Sequence, residues 1–240
     1  MRKGIFWALG GVLSLVLIGV ATFIVYTNFN YGPRPSENGV ISKKENEFKQ
    51  KEFRRLIQFL KGGLKNQGEG WKKTELMIQN AYKQIDEPEE EIEFLKARLK
   101  EQPDQFLDMI RFHRVGEIYH KRLKNFNQAK QYYILALTKY EDPSSLMGLS
   151  EISEVEGDVH QAIQFRERAL KKMTLVDTPV LARNRAKRLM ELSSLYLKVN
   201  RKEDAERVFR EALQLDPQNL SAKETLQKLS AESGTSPKTL

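Results

Sequence analysis

"LSSLYLKVNRKEDAERVFREALQLDPQN" (residues 192–219) holds its small residues at fixed intervals within a charged stretch. Ser193 is followed by Tyr196, Ala205, Phe209, Ala212 and Pro217. Apolar positions recur with a helical rather than a two-residue period, so the stretch reads as helical. Antiparallel helices approach to roughly 8 Å only where the contact residues are small. Ser193 and Ala205 therefore mark the crossing within the pair, and Ala212 the contact with the next element. Tyr196 and Phe209 fill the space between units.

Working outward, the pattern repeats. Ala129, Ala162 and Ala205 are each followed seven residues later by Ala136, Ala169 and Ala212. The last interval is longer than the first, as if about nine residues were inserted. The 192–219 stretch resembles the tetratricopeptide repeat through Leu189, Leu192, Ser193, Tyr196, Ala205, Phe209, Ala212 and Pro217. The preceding copy matches through Leu146, Leu149, Ser150, Ala162 and Ala169, with Ser153 and Arg166 in place of the two aromatics. The earliest clear copy has Phe112, Val115, Gly116, Tyr119, Ala129, Tyr133 and Ala136, with one extra residue before Ala129. The resemblance covers 109–219, in units of about 109–142, 143–176 and 186–219. It implies an all-α, helix-turn-helix solenoid.

Punctuation agrees with helices. Asp142-Pro143, Thr178-Pro179 and Asp216-Pro217 each place a capping side chain before a proline suited to a first helical position, and Asp158 caps without one. Residues 217–231 read as a helix closing the stack, and 232–240 as a disordered tail. Upstream, residues 45–108 read as helical, with helices over 45–61, 71–86 and 88–101. Tyr82, Leu95 and Pro103 echo the repeat, suggesting a degenerate unit over roughly 72–105. "KGGLKNQGEG" between the first two helices lacks the order of a phosphate-binding loop.

The N-terminus differs. After the short basic segment 1–4, no charge occurs from Gly4 to Tyr26. At about 1.5 Å per residue, 5–26 extends roughly 33 Å, enough for a bilayer core. It reads as a single transmembrane anchor, with a cleaved secretory signal as the competing reading. Arg2 and Lys3 before it, against Arg34 after it, favour an extracytoplasmic soluble part. Residues 27–44 read as a flexible linker.

Composition narrows the chemistry. No cysteine is present, which excludes disulfides, thiolate metal sites and thiol nucleophiles. The net charge of +8 comes from 40 Lys and Arg against 32 Asp and Glu, with the signs interspersed. That pattern suits a solvated surface better than a nucleic-acid stripe. Catalytic signatures such as a nucleophile elbow, a dinucleotide fingerprint or H-E-x-x-H are missing. His113, Glu117 and His120 share one helix face at the spacing of metal ligands, but no fourth ligand is identifiable, and they read as a polar face in a basic segment. The cluster Arg183, Arg185, Lys187 and Arg188 spreads around its helix and has no stacking aromatics nearby. These readings point to no enzyme activity, no cofactor and no metal.

In the tetratricopeptide family the first helix of each pair lines a concave surface that binds peptides. Carried onto this chain, that implies a groove of His113, Arg114, Glu117, His120 and Lys121. Met147, Glu151 and Glu154 follow from the second unit, and Lys187, Met190, Glu191, Ser194 and Lys198 from the third. The family's C-terminal-carboxylate clamp is not reproduced, because its asparagine positions hold other residues. The expectation is a non-catalytic, membrane-anchored scaffold for a protein or peptide partner, placed at a translocation or envelope-assembly complex. A basic solenoid that binds nucleic acid and a self-associating platform are the alternatives.

Overall fold

The computed structural model describes residues 43–64, 70–173 and 179–232. Those residues form α1 (Lys43–Leu64), α2 (Trp71–Tyr82), α3 (Pro88–Glu101), α4 (Gln105–Glu117), α5 (Phe126–Lys139), α6 (Pro143–Val155), α7 (Val159–Lys172), α8 (Pro179–Lys198), α9 (Lys202–Leu215) and α10 (Leu220–Glu232). Among the described residues there is no strand. The chain divides into two compact units between Ile85 and Asp86. In the first, α1 packs on α2, with the Lys61 ammonium 5.2 Å from the centre of the Tyr82 ring. The division falls inside the expected degenerate repeat over 72–105, whose two helices thus belong to different units.

The second unit is a helical-repeat solenoid. Hairpins α4/α5, α6/α7 and α8/α9 stack in order, α5 on α6 and α7 on α8, and α10 covers the end of α9. Local chemistry sets each start. Asp104, Asn125, Asp142, Asp158 and Asn219 each accept, through the side chain, the backbone N–H three residues on, at 2.8–3.1 Å. Such caps contribute about 1 kcal/mol each. The turns inside the hairpins use one left-handed residue apiece: Lys124 (φ 53°), Gly157 (φ 83°) and Asn200 (φ 57°).

The seam alanines, Ala129, Ala136, Ala162, Ala169, Ala205 and Ala212, are all buried, as are Gly116's neighbour Val115, Ser150, Ser193, Tyr196 and Phe209. Tyr119 is half-buried and stacks on Tyr132 at 5.6 Å. One apolar core runs from Leu146 on α6 to Ala222 on α10. A second joins α3 to α4 through Ile92, Leu95, Val115 and Ile118.

Several expectations need correction. The extra residue before Ala129 is absorbed by a π-helical turn, Ile118–Arg122, in which Leu123 N–H reaches Ile118 O at 3.1 Å. Asp216-Pro217 does not start a helix. Pro217 is exposed in a turn, and α10 begins at Leu220 behind the Asn219 cap. Thr178 lies outside the described residues. Part of the insertion before the third unit forms the first turns of α8, which is 20 residues long against 13 for α6.

The localisation expectation is also corrected. Among the described residues no helix is long and apolar enough to cross a membrane. The longest, α1, is interrupted by charge throughout, from Lys43 to Lys61. The anchor assigned to 5–26 lies outside the described residues, as do linker residues 27–42 and tail residues 233–240. A single-pass anchor with an extracytoplasmic domain is therefore unsupported.

Candidate functional site

A cavity of about 440 Å³ opens where α4, α6 and α8 face one another. From α4 and its π-turn come His113, Glu117 and Lys121; from α6 come Met147, Gly148 and Glu151; from α8 come Asn184, Lys187 and Arg188. Pro143, Ser144, Met173 and the ring of Tyr133 complete the lining. Helix α6 can sit this close because glycine faces Tyr133. A Cβ on Gly148 would lie 2.5 Å from Tyr133 Cε2, and one on Gly116 would lie 2.8 Å from Cδ1. Tyr133 is 1% exposed and packs with Ala129, Leu149 and Ile152.

The π-turn decides which residues of α4 reach the cavity. A π-turn advances fewer degrees per residue than an α-turn. It therefore withdraws His120 from the face of His113 and Glu117 and brings Lys121 onto it. His120 is buried instead, edge-on to Phe126 at 5.8 Å and to Tyr133 at 6.2 Å. The triad His113, Glu117 and His120 is thus not assembled, and among the described residues no group is arranged to hold a metal ion.

Arg114 is likewise not a groove residue. It is 8% exposed and clasps Glu91 of α3 through two bonds of 2.7 and 2.9 Å, with Glu117 at 2.7 Å. Arg122 adds a third contact to Glu91 at 3.3 Å. The result is a buried ionic joint between α3 and the first hairpin. Its partner lies 23 residues away in sequence, beyond the reach of helix periodicity.

Within the cavity, His113 Nδ1 lies 2.9 Å from Ser145 Oγ and 3.5 Å from Asp142 Oδ2. Burial holds its imidazole below the usual range, against the pull of Asp142 and Glu117. Burial pushes the Glu117 carboxyl up, but the Arg114 hydrogen bond and charge outweigh it and keep the group below the usual carboxylate range. Lys121 reaches Glu117 at 4.0 Å, and Arg188 reaches Glu191 at 3.0 Å. Glu151 and Lys187 have no hydrogen-bond or ion-pair partner among the described residues.

The remaining predicted groove residues lie to one side, around Arg166 of α7. That guanidinium is 3% exposed and bonds Ser150 Oγ (3.2 Å), Glu154 (2.9 Å) and Glu191 (3.0 Å). Lys198 adds a second cation to Glu154 at 3.2 Å. Met190 is half-buried with its sulfur 3.1 Å from Asn219 Nδ2, and exposed Ser194 donates to Met190 O at 3.1 Å. Sequence reasoning missed Tyr133, Pro143, Ser144, Gly148, Met173, Asn184 and Arg188 as lining residues. Asn184, Lys187 and Arg188 carried a signal, since spacings of three and four put them on one face of α8.

Two members of the basic cluster on α8, Arg185 and Arg188, are occupied within the chain. Arg185 donates to the C-terminal carbonyls of α7, Leu170 O at 2.8 Å and Met173 O at 3.2 Å, and reaches Glu211 at 3.2 Å.

Comparison with known proteins agrees with the third hairpin. A sequence profile described as "Tetratricopeptide repeat" matches residues 186–219. No curated protein sequence matched. Among solved structures, one titled "Crystal structure of MamA" is similar, with a TM-score of 0.47 and 15% identity over 70% of this chain and 86% of that one. Likeness of that degree says nothing about activity.

Proposed function

We propose that this chain is a non-catalytic scaffold that docks a segment of another protein in the cavity between α4, α6 and α8. The observation that carries the reading is the cavity's construction. First helices of three successive hairpins converge on it, and among the described residues their Glu151 and Lys187 have no hydrogen-bond or ion-pair partner. A helical repeat presents such a surface to elongated partners. The lining offers half-buried Met173 for apolar contact and charge at its edges for register.

Photo-crosslinking in cells tests this. A crosslinking residue at Ser144 or at Asn184 should trap the same protein, whereas one at exposed Gln164, outside the cavity, should not. A synthetic segment of the trapped protein should then compete. Equal trapping at all three sites, or none at Ser144 and Asn184, contradicts the proposal.

A further inference from the structure

We infer, resting on the docking reading above, that the occupant is a dipolar peptide segment: one cationic side chain meets Glu151 and one anionic side chain meets Lys187. The inference comes from which charges the cavity has already answered. Glu117 is held by Arg114 at 2.7 Å, and Arg188 by Glu191 at 3.0 Å. His113 leans on Ser145 at 2.9 Å. Glu151 and Lys187 remain, of opposite sign, on separate helices and without the 4.0 Å approach that would join them. Among the described residues, the chain therefore presents a carboxylate and an ammonium on one surface with neither joined in an ion pair.

An occupant of a single sign fits poorly. A polyanion would gain Lys187 and face Glu151 and Glu117; a polycation would gain Glu151 and face Lys187, Lys121 and Arg188. A segment with one charge of each sign gains both contacts. Half-buried Met173 supplies flexible apolar surface for a side chain of the same segment. The same geometry argues against a nucleic-acid strand, whose phosphates would pass Glu151.

The test uses the full chain and labelled peptides. Each peptide carries a central leucine flanked by one lysine and one glutamate at spacings of two to six residues. Counterparts carry two lysines, two glutamates or two alanines. Fluorescence anisotropy should show binding by mixed-charge peptides above all three counterparts. Glu151→Lys and Lys187→Glu should each weaken the best peptide by at least about fivefold. The double variant should recover binding to the peptide with its lysine and glutamate exchanged. That recovery distinguishes charge reading from damage to the fold. Equal binding by the uncharged or single-sign peptides, with no effect of either reversal, overturns the dipolar inference and leaves the docking reading standing. Failure of every peptide, together with failure of crosslinkers at Ser144 and Asn184 to trap a protein, overturns both.

Discussion

Tyr133 and Arg166 occupy the same place in successive hairpins, four residues after the seam alanines Ala129 and Ala162, and both are buried. The chain fills one place by shape and the other by charge. Around Tyr133 the neighbours shrink to Gly116 and Gly148, so that a ring fits between two helices. Around Arg166 the neighbours supply Ser150, Glu154 and Glu191, so that a cation is fully bonded where a ring would otherwise pack. One seam tolerates no added atom, and the other tolerates no lost partner. Each fixes the placement of first helices that carry cavity residues.

The largest expected effect comes from breaking the shape-filled seam. Gly148→Ala adds a methyl where Tyr133 already lies, and should destabilise by about 2–3 kcal/mol in urea unfolding, after the helix-propensity gain of about 1 kcal/mol is offset. A variant as stable as the parent would mean that Tyr133 is free to move. Next comes the charge-filled seam. Removing one partner of a fully buried pair costs about 3–5 kcal/mol. Glu154 and Glu191 keep 26% and 30% of their side-chain surface in water, so Arg166→Ala should cost less, about 2 kcal/mol. Arg166→Phe should not restore the loss, because the two carboxylates stay behind.

A smaller change is expected with pH. His113 and His120 both have folded-state pKa values below the ordinary 6.5, chiefly because burial penalises the imidazolium. The unfolded chain therefore takes up protons that the folded chain refuses. Their contribution is complete above pH 6.5 and is lost as pH falls through and below it. The Tm should drop between pH 7.5 and 5.5, and the drop should shrink in His113→Asn and His120→Asn. A Tm that rises on acidification over that interval would contradict the sign. The smallest effect belongs to Lys124, whose φ of 53° suits glycine. Lys124→Gly should stabilise by about 0.5–1 kcal/mol in the same urea assay, and a loss of stability would show that the lysine stem contributes more than its backbone costs.

The sequence showed what repeats and hid what crosses between repeats. Ala129, Ala162 and Ala205 announced three hairpins because close helix crossing constrains side-chain size at regular spacing. Asp142 and Asp158 announced helix starts because capping is local. Asp216-Pro217 carried the same local signal and failed, since the chain takes a further turn and lets Asn219 cap. The extra residue near Ile118 was visible, but not that a π-turn would absorb it and exchange His120 for Lys121 at the cavity. Arg114 read as a groove residue because its partner Glu91 sits on a helix outside the repeat. The importance of Gly148 depends on Tyr133, fifteen positions upstream in another hairpin. The Asn219 cap and the π-turn are local departures, whereas Arg114 and Gly148 depend on contacts between distant elements, which periodicity along one helix does not encode.

The most direct test of two seams built on different physics is urea unfolding of Gly148→Ala and Arg166→Ala at about 0.1 M and 1 M salt. The destabilisation by Gly148→Ala should be the same at both concentrations. That of Arg166→Ala should shrink at the higher one, as screening weakens the half-exposed carboxylate contacts it removes. Equal salt dependence in the two variants would contradict the account.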